Sequence, residues 1–191
     1  HAPEPGTEAF VGGEPLPFVD PVASEAVGLR FVHQDLGLVG NLDAVDNMAM
    51  GQGYITNATK TIRWRKERAH ARAALEALGY DINVKVPVAG LQMSERTAVA
   101  IARAILKNPA ILILDEPTAG VDIGTKSEIL DLVRAIADSG KSVILISSEL
   151  PELLAVSDRV LVLKDGRVLK TLNRNEIPSE EFLQLEIQGA N

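Results

Sequence analysis

The chain has 191 residues, of which 46% are hydrophobic and 24% charged, a balance typical of one globular domain and not of a disordered segment. It contains no cysteine, which excludes disulfides, thiolate catalysis and cysteine-based zinc sites. A net charge of −7 and only seven aromatic residues disfavour nucleic acid as a partner. No apolar run approaches the roughly 18 residues of a membrane span, and the chain opens with neither a signal peptide nor methionine, so we expect a trimmed chain.

The first 90 residues carry the weaker structural signals. Glu8–Val11 and Leu29–Val32 have the apolar character of strands, and Gly12-Gly13 predicts a turn between them. Residues 61–78 predict a helix that ends at Gly79. It is the one helix that we expect over residues 35–90.

The start of this predicted helix is basic. Residues 60–72 contain six basic side chains against Glu67 alone, whereas the rest of the chain has 13 basic and 25 acidic residues. A solvated helix face is a more frequent reason for such a run than a contact with lipid or RNA. The basic residues are Lys60, Arg63, Arg65, Lys66, Arg68 and Arg72.

Helix and strand signals alternate from about residue 90 onward, which is typical of a parallel α/β sheet. Ala110–Leu114 and Ser142–Ile146 are aliphatic runs with the length of buried strands, and Ile123–Ser139 between them has apolar residues at helical spacing. Asp122 predicts the N-cap of this helix and Gly140 the residue just beyond its end. Together they predict a right-handed βαβ unit.

The C-terminal part predicts a hairpin and a helix. Arg159–Leu163 and Arg167–Leu172 alternate as strands do, and Asp165-Gly166 between them favours a tight turn. Pro178-Ser179 predicts the start of a short terminal helix.

The segment ILILDEPTAGVD, residues 111–122, carries the clearest chemical signal. A buried strand that ends in Asp115-Glu116 puts two carboxylates at the carboxyl edge of a sheet, where α/β folds bind ligands. Asp115 is suited to hold Mg²⁺ through water, and Glu116 to orient or deprotonate an attacking water. For an isolated Asp-Glu pair, a solvated acidic turn is an equally good explanation.

Three further segments favour the catalytic interpretation. FVHQD puts Gln34 just after a strand, LQMSER at residues 91–96 leads into a predicted helix over Thr97–Leu106, and Ser147-Ser148-Glu149 follows a second strand. In this order and spacing the set resembles the ATP-binding cassette ATPases, the motors of ABC transporters. The resemblance runs from about residue 6 to residue 172.

The resemblance implies a P-loop NTPase-like (RecA-like) α/β core with a parallel sheet and an inserted α-helical lobe. The core would comprise residues 1–35 and 108–174, with its first strands and phosphate-binding loop missing. The helical lobe with the signature loop would be residues 36–107, and residues 175–191 would form a C-terminal helix and tail.

It also implies a role for each motif residue. Gln34 would be the Q-loop glutamine, Ala110–Glu116 the Walker B strand, and Ser148 the residue at the switch position. The implied catalytic residues are Glu116, Ser148 and Gln34, and the implied metal ligands are Asp115 and Gln34. The implied nucleotide contacts are the signature residues Leu91, Gln92, Met93, Ser94 and Glu95, together with Asp122, which closes the D-loop.

Three features depart from the family pattern. The only Gly-Lys-Ser, at residues 140–142, has Ala135 where a P-loop requires glycine and stands between a helix and a strand in the wrong order. We therefore expect the phosphate-binding loop upstream of His1, and no ATPase activity from these 191 residues alone. Met93 stands where the usual Leu-Ser-Gly-Gly-Gln allows close backbone approach, and Ser148 does not titrate near neutral pH as histidine does.

The segment ISSELPELLAVSDRVLVLKDG, residues 146–166, is similar to the monosaccharide-importer branch, which usually fuses two cassettes in one chain. That similarity implies hydrolysis of ATP, with Mg²⁺, to drive import of a small sugar. The implied partners are a membrane permease, a second cassette paired head to tail and, indirectly, a solute-binding protein, but no nucleic acid. The implied location is peripheral, on the cytoplasmic face of the membrane.

Other functions stay open at this point. A degenerate, non-catalytic cassette in an asymmetric pair is favoured by the altered signature and Ser148, but disfavoured by the intact Asp115 and Glu116. A non-transport cassette of DNA repair or translation is disfavoured because only residues 35–90 separate Gln34 from the signature, too few for a long coiled coil. As an alternative to the switch role of Ser148, Ser147 and Ser148 would merely end a strand. A plain protein-interaction domain would leave the acidic pair unexplained.

Overall fold

The computed structural model of the chain describes residues 7–17, 20–50 and 52–189. The ends of the predicted core and of the predicted C-terminal tail lie outside these residues. The chain divides after Ile144 into two compact units, and each is described by itself. This division does not follow the lobe boundaries expected at residues 35/36 and 107/108, and the assignment of the lobes stays a prediction.

The chain begins with a short hairpin. Strand β1, Phe10–Val11, pairs antiparallel with β2, Glu14–Pro15, across Gly12 and Gly13, whose φ angles are +59° and +90°. The predicted glycine turn is confirmed, but it leads into β2 and not into Leu29–Val32. The observed strand β1 is two residues shorter than the predicted Glu8–Val11. Helix α1, Pro21–Ala26, follows, and the Asp20 carboxylate caps it.

A three-stranded sheet contains the two strands of the predicted βαβ unit. Strand β3, Leu29–Val32, pairs in parallel with β4, Ile111–Asp115, and β5, Ser142–Ile146, lies on the other side of β4. Helix α5, Ile123–Asp138, connects β4 to β5. These bounds confirm the predicted strand–helix–strand order, and the predicted strand ends differ by no more than one residue.

Three helices lie between β3 and β4: α2 (Ala44–Ala49), α3 (Trp64–Glu76) and α4 (Met93–Ile105). The expectation of a single helix over residues 35–90 is wrong, because α2 is a second one. Helix α3 is shorter than the predicted 61–78, since a bridge between Thr56 and Ile62 keeps its approach extended. A turn of 3-10 helix, Val88–Gly90, precedes α4.

Helix α4 forms the buried centre of the first unit. Residues Ala98–Ala102 are fully inaccessible to solvent, because α4 packs against α2, α3, α5 and β3. Leu112 and Leu114 of β4 and Ile129 of α5 are equally buried. Since α4 starts in the signature segment and touches the strand that leads to Gln34, it connects two of the predicted motifs through one rigid element.

The second unit starts at Leu145 and contains helix α6, Leu150–Val156, followed by the antiparallel strands β6, Arg159–Lys164, and β7, Arg167–Asn173. The predicted hairpin is confirmed, and the turn residues Asp165 and Gly166 have φ angles of +50° and +75°, as a tight turn with two left-handed residues requires. Helix α7, Glu180–Gln188, starts after Ser179, whose hydroxyl accepts a hydrogen bond from the Phe182 N–H. The unit's core consists of Val160, Val162, Leu172, Ile177 and Leu183.

Candidate active site

The carboxyl edge of the sheet brings three predicted site residues to neighbouring strand ends. Val32 of β3 lies opposite Leu114 of β4 in the parallel register. Gln34 follows Val32 by two residues, and Asp115 and Glu116 follow Leu114 directly. Because paired strands lie about 4.8 Å apart, the three side chains emerge from one edge of the sheet. Their positions agree with the expected arrangement, and their roles stay predictions.

Glu116 has an unusual backbone conformation. Its φ angle is +48°, in the left-handed region, directly after the buried strand β4. Lys60, Asn108 and Asp165 also have positive φ, and the short polar side chains of Asn108 and Asp165 tolerate this region better than glutamate or lysine does. The turn that holds it is tight, since the Ala119 N–H donates to the Glu116 carbonyl at 3.1 Å and Thr118 is 1% exposed. Strain of this kind costs about 1–3 kcal/mol and is concentrated at functional sites.

The loop after Gln34 is clamped by an arginine of α4. Arg103 donates from Nη1 to the Gly37 carbonyl at 2.8 Å and from Nη2 to the Leu36 carbonyl at 2.7 Å. Burial lowers the pKa of Arg103, although a guanidinium stays charged at neutral pH. Gly37 has a φ of +57°, which suits glycine at the clamped turn. Sequence reasoning missed Arg103, and its one signal is a charged residue within the apolar run of residues 98–106.

A second clamp lies where this loop enters α2. Asn47 is fully buried, and its Oδ1 accepts a hydrogen bond from the Val39 N–H at 2.8 Å. Its Nδ2 donates to the carbonyls of Val39, Leu42 and Asp43 at 2.9–3.3 Å. Both polar atoms of the side chain are therefore used to hold the backbone between Gln34 and the helices. Sequence reasoning also missed Asn47, because nothing local distinguishes it from a surface asparagine.

The signature segment is helical where a loop was expected. Leu91 and Gln92 precede α4, but Met93, Ser94 and Glu95 form its first turn. The helix starts four residues before the predicted Thr97 because the Glu95 carboxylate accepts a hydrogen bond from the Gln92 N–H at 2.8 Å and so caps it.

The side chains of this first turn face different surroundings. Ser94 is buried and hydrogen-bonded to the hydroxyl of Tyr80, whose pKa is raised chiefly by burial. With Ser94 and Glu95 engaged within the chain, the segment offers a ligand mainly the backbone N–H groups at the start of α4. Met93 is half-buried at the same turn.

Asp122 acts as a helix cap. Its carboxylate accepts hydrogen bonds from the N–H of Thr125 at 3.0 Å and from the Thr125 hydroxyl at 2.7 Å. The bonds from Thr125 hold the pKa of Asp122 below its ordinary value. The structure thus assigns Asp122 a role in starting α5, as the sequence predicts, and a contact with nucleotide stays a prediction.

Ser148 lies in the second unit, where its neighbour Ser147 closes the turn. The Ser147 hydroxyl donates to Oε2 of Glu152 at 2.8 Å and accepts a hydrogen bond from the Glu149 N–H at 3.0 Å. Ser148 is exposed just beyond β5. Its expected role at the switch position stays a prediction.

The donor set fits part of a Mg-nucleotide site. No three His, Cys, Asp or Glu side chains converge as a metal centre anywhere in residues 7–17, 20–50 and 52–189. Asp115 and Gln34 carry oxygen atoms of the kind that Mg²⁺ prefers, and their role as its ligands stays a prediction. The sequence has no Gly-x4-Gly-Lys-Ser/Thr segment to hold the phosphates. The chain's own residues therefore fit the metal and attacking-water side of such a site.

The parallel sheet, the carboxylates at its edge and the helices inserted between β3 and β4 define a P-loop NTPase-like α/β protein. The chain belongs to the ABC transporter family, whose model matches residues 3–119. It is 32% identical to the ribose import ATP-binding protein RbsA 2 of Rubrobacter xylanophilus, over 98% of this chain and 36% of that protein. It is 28% identical to the xylose import ATP-binding protein XylG of Moorella thermoacetica, over 94% of this chain and 35% of that protein. The chain thus spans little more than a third of the length of these curated relatives.

A solved structure supports the same fold. The ATP-binding cassette MJ0796, in a dimeric post-hydrolysis state bound to ADP and Pi, superposes with a TM-score of 0.68 at 22% identity. The match covers 87% of this chain and 73% of that one. In the part of the chain that the structure describes, no helix combines the length and apolar composition needed to cross a bilayer.

Proposed function

We propose that the natural protein hydrolyses ATP and that this hydrolysis drives import of a small sugar through a separate membrane permease. The observation that carries the proposal is the strained backbone of Glu116. This residue directly follows β4, and β4 pairs with β3, the strand that leads to Gln34. The names of the ribose and xylose import relatives support the sugar as cargo. The implied location is the cytoplasmic face of the membrane.

The residues at the sheet edge divide the chemistry between them. Glu116 orients the attacking water and accepts its proton, because its carboxylate lies just beyond the end of β4, at the carboxyl edge of the sheet. Asp115 and Gln34 would hold Mg²⁺ through their oxygen atoms. Bound Mg²⁺ supplies neutralisation of the charge that develops on the phosphates. Arg103 keeps the Gln34 loop in place while these groups act.

Pairing with a second cassette and with the permease completes the proposed protein. The backbone N–H groups at the start of α4 suit a phosphate held by the opposite cassette in a head-to-tail pair. The dimeric, nucleotide-bound state of MJ0796 supports such a pair. Gln34 and the helices over residues 36–107 face the permease, so that the same loop senses both nucleotide and transport. The solute-binding protein acts through the permease.

Substitution of Glu116 tests this function. In the complete protein, Glu116→Gln should leave ATP binding intact and lower turnover by about 10²- to 10⁴-fold, the usual contribution of a well-placed base. Asp115→Asn is the matched control, since it makes the same carboxylate-to-amide change one residue away and should weaken Mg²⁺-dependent binding instead. Gln34→Ala should reduce transport more than basal hydrolysis. Near-normal turnover of Glu116→Gln would refute the catalytic assignment.

The second candidate is a non-catalytic cassette in an asymmetric pair. It is favoured by Met93, a bulky residue in the first turn of the signature helix, and by Ser148 in place of a titrating switch residue. The same experiment separates the two functions. If turnover survives Glu116→Gln while nucleotide binding at this cassette still alters transport, the non-catalytic role is supported.

A further inference from the structure

Exposed cations lie at the start of α3 and along it. Arg63, Arg65, Lys66 and Arg72 are exposed. Across the described ranges, 7–17, 20–50 and 52–189, their side chains take part in no ion pair or hydrogen bond. By contrast, Lys107 and Arg30 in the same unit pair with a glutamate.

Of the two glutamates of α3, Glu76 is exposed in the last turn, one turn after Arg72, and Glu67 is withdrawn from the surface. Glu67 is buried, and its Oε1 accepts a hydrogen bond from the backbone N–H of Ile55. Its charge is used to hold the segment before α3 and is not available to the neighbouring arginines on the outside. The face therefore presents more positive charge than the sequence count alone suggests.

Two exposed aromatic side chains, Tyr54 and Trp64, lie in contact at the start of α3. Trp64 is 41% exposed, and the guanidinium carbon of Arg68 lies 5.9 Å from the centre of its ring. Tyr54 is 37% exposed and meets Trp64 edge to face at 5.6 Å between ring centres. The Tyr54 hydroxyl donates to Asp46 at 2.9 Å, so the phenol is held in position. The result is a pair of amphipathic rings held in contact, and Trp64 is flanked in the sequence by the exposed Arg63 and Arg65.

The loop that leads into α3 is also preformed. The Asn57 carbonyl and side chain accept hydrogen bonds from Lys60, Thr59 and Thr61, and Thr56 bridges to Ile62. Lys60 stands in this loop with a φ of +60° and is exposed. A surface that is already ordered loses little conformational entropy when it binds a partner.

We propose that this surface, the basic-aromatic face formed by Tyr54, Lys60, Trp64 and the arginines and lysine of residues 63–72, binds the headgroups of an anionic phospholipid bilayer directly. Basic side chains interleaved with exposed tryptophan and tyrosine are the pattern of proteins that bind at a charged membrane surface. The inference deepens the proposed attachment to the membrane and rests on it, but it requires no permease.

Charge complementarity selects a bilayer over other polyanions. The rest of the chain is strongly acidic, with 25 acidic against 13 basic residues. A flat anionic surface meets the basic-aromatic face alone, whereas a flexible RNA would also approach the acidic remainder. RNA recognition of single strands also relies on a series of stacked bases, and this face offers two rings that already pack on each other.

Trp64 is the single tryptophan of the chain and reports binding at this face without a label. The 191-residue chain is titrated with vesicles of phosphatidylglycerol and phosphatidylcholine in equal parts, and with phosphatidylcholine alone, at about 50 mM salt. The first vesicles should shift Trp64 emission to the blue and protect it from an aqueous quencher. The second should not, and affinity for the first should fall about tenfold or more when salt is raised to about 200 mM.

A charge-reversed variant tests the residues. Arg65→Glu with Lys66→Glu should bind the anionic vesicles at least about tenfold more weakly. The matched control is Arg159→Glu with Arg167→Glu, which makes the same change of charge on two exposed strand residues of the second unit and should bind as the unsubstituted chain does. Circular dichroism establishes that each variant is folded.

Three results would overturn the proposal. They are absence of a Trp64 shift with anionic vesicles at low salt, equal weakening by both pairs of substitutions, and an equal shift with polyuridylate at the same phosphate concentration. The last would indicate a general polyanion surface. Glu116→Gln should bind vesicles normally, so loss of vesicle binding and loss of ATP hydrolysis are separate outcomes and test the two proposals independently.

Discussion

Replacement of Arg103 by methionine should loosen the loop that follows Gln34 while keeping the core filled. Methionine matches the length of the arginine stem, so the substitution removes the guanidinium without creating a large cavity. The lost interactions are two charge-assisted hydrogen bonds, at 2.8 and 2.7 Å, to the carbonyls of Gly37 and Leu36.

The expected loss follows from the burial of the two acceptors. Hydrogen bonds to a charged group contribute about 1.5–3 kcal/mol each. Gly37 is exposed, so water replaces the guanidinium at its carbonyl and recovers most of that bond, whereas Leu36 is buried. We therefore expect the free energy of unfolding to fall by about 2–3 kcal/mol. Arg103→Lys should lose less, because an ammonium keeps the charge but cannot hold both carbonyls in one fixed fork.

Urea denaturation measures the change in stability, and hydrogen exchange locates it. The amides of residues 36–40 should exchange faster in Arg103→Met, while those of β7 in the second unit should be unchanged. In the complete protein, the ratio of transport to basal hydrolysis should fall. A loss of stability below about 0.5 kcal/mol, or uniform acceleration of exchange through both units, would refute the reasoning that Arg103 acts on this loop.

Two further substitutions test the second clamp and the helix cap. Asn47→Asp should destabilise the chain by about 3 kcal/mol or more at neutral pH, because the new carboxylate is buried against three carbonyl oxygens. Burial raises the folded-state pKa of such a carboxyl, so the deficit should shrink as the pH falls and protonation restores a donor, as urea midpoints from pH 7 to pH 4 would measure. Asp122→Ala should lower the melting temperature at neutral pH, and the difference from the unsubstituted chain should disappear in acid. The sign follows because the folded-state pKa of Asp122 lies below the ordinary 3.8, so its stabilisation is present above that value and is lost as the pH falls through the folded-state pKa. A pH-independent difference would contradict the capping role.

The elements predicted correctly are those whose signals are local. The strand that ends at Asp115, the helix that begins after Asp122 and the hairpin at Asp165-Gly166 each carry their own stop, cap or turn residue. Gln34 and Asp115 could be placed at one sheet edge for the same reason, because parallel strands end together.

The elements missed depend on contacts between distant parts of the chain. Helix α2 has only six residues, and hydrogen bonds from Asn47 to residues 39–43 secure its approach. The clamp on the Gln34 loop joins Arg103 to Gly37 and Leu36, which precede it in the chain by 66 and 67 positions. Periodicity within a window of residues contains no information on such a pair. The start of α4 was missed because the motif pattern predicted a loop where Glu95 caps a helix.

The left-handed backbone of Glu116 has a consequence for the evolution of this protein. Glycine or asparagine would adopt that conformation with less strain, and the difference is about 1 kcal/mol or more. A laboratory selection for thermal stability alone should therefore enrich glycine or asparagine at position 116. A parallel selection for turnover should retain glutamate. The residue found at position 116 would thus indicate whether selection has acted mainly on stability or mainly on turnover.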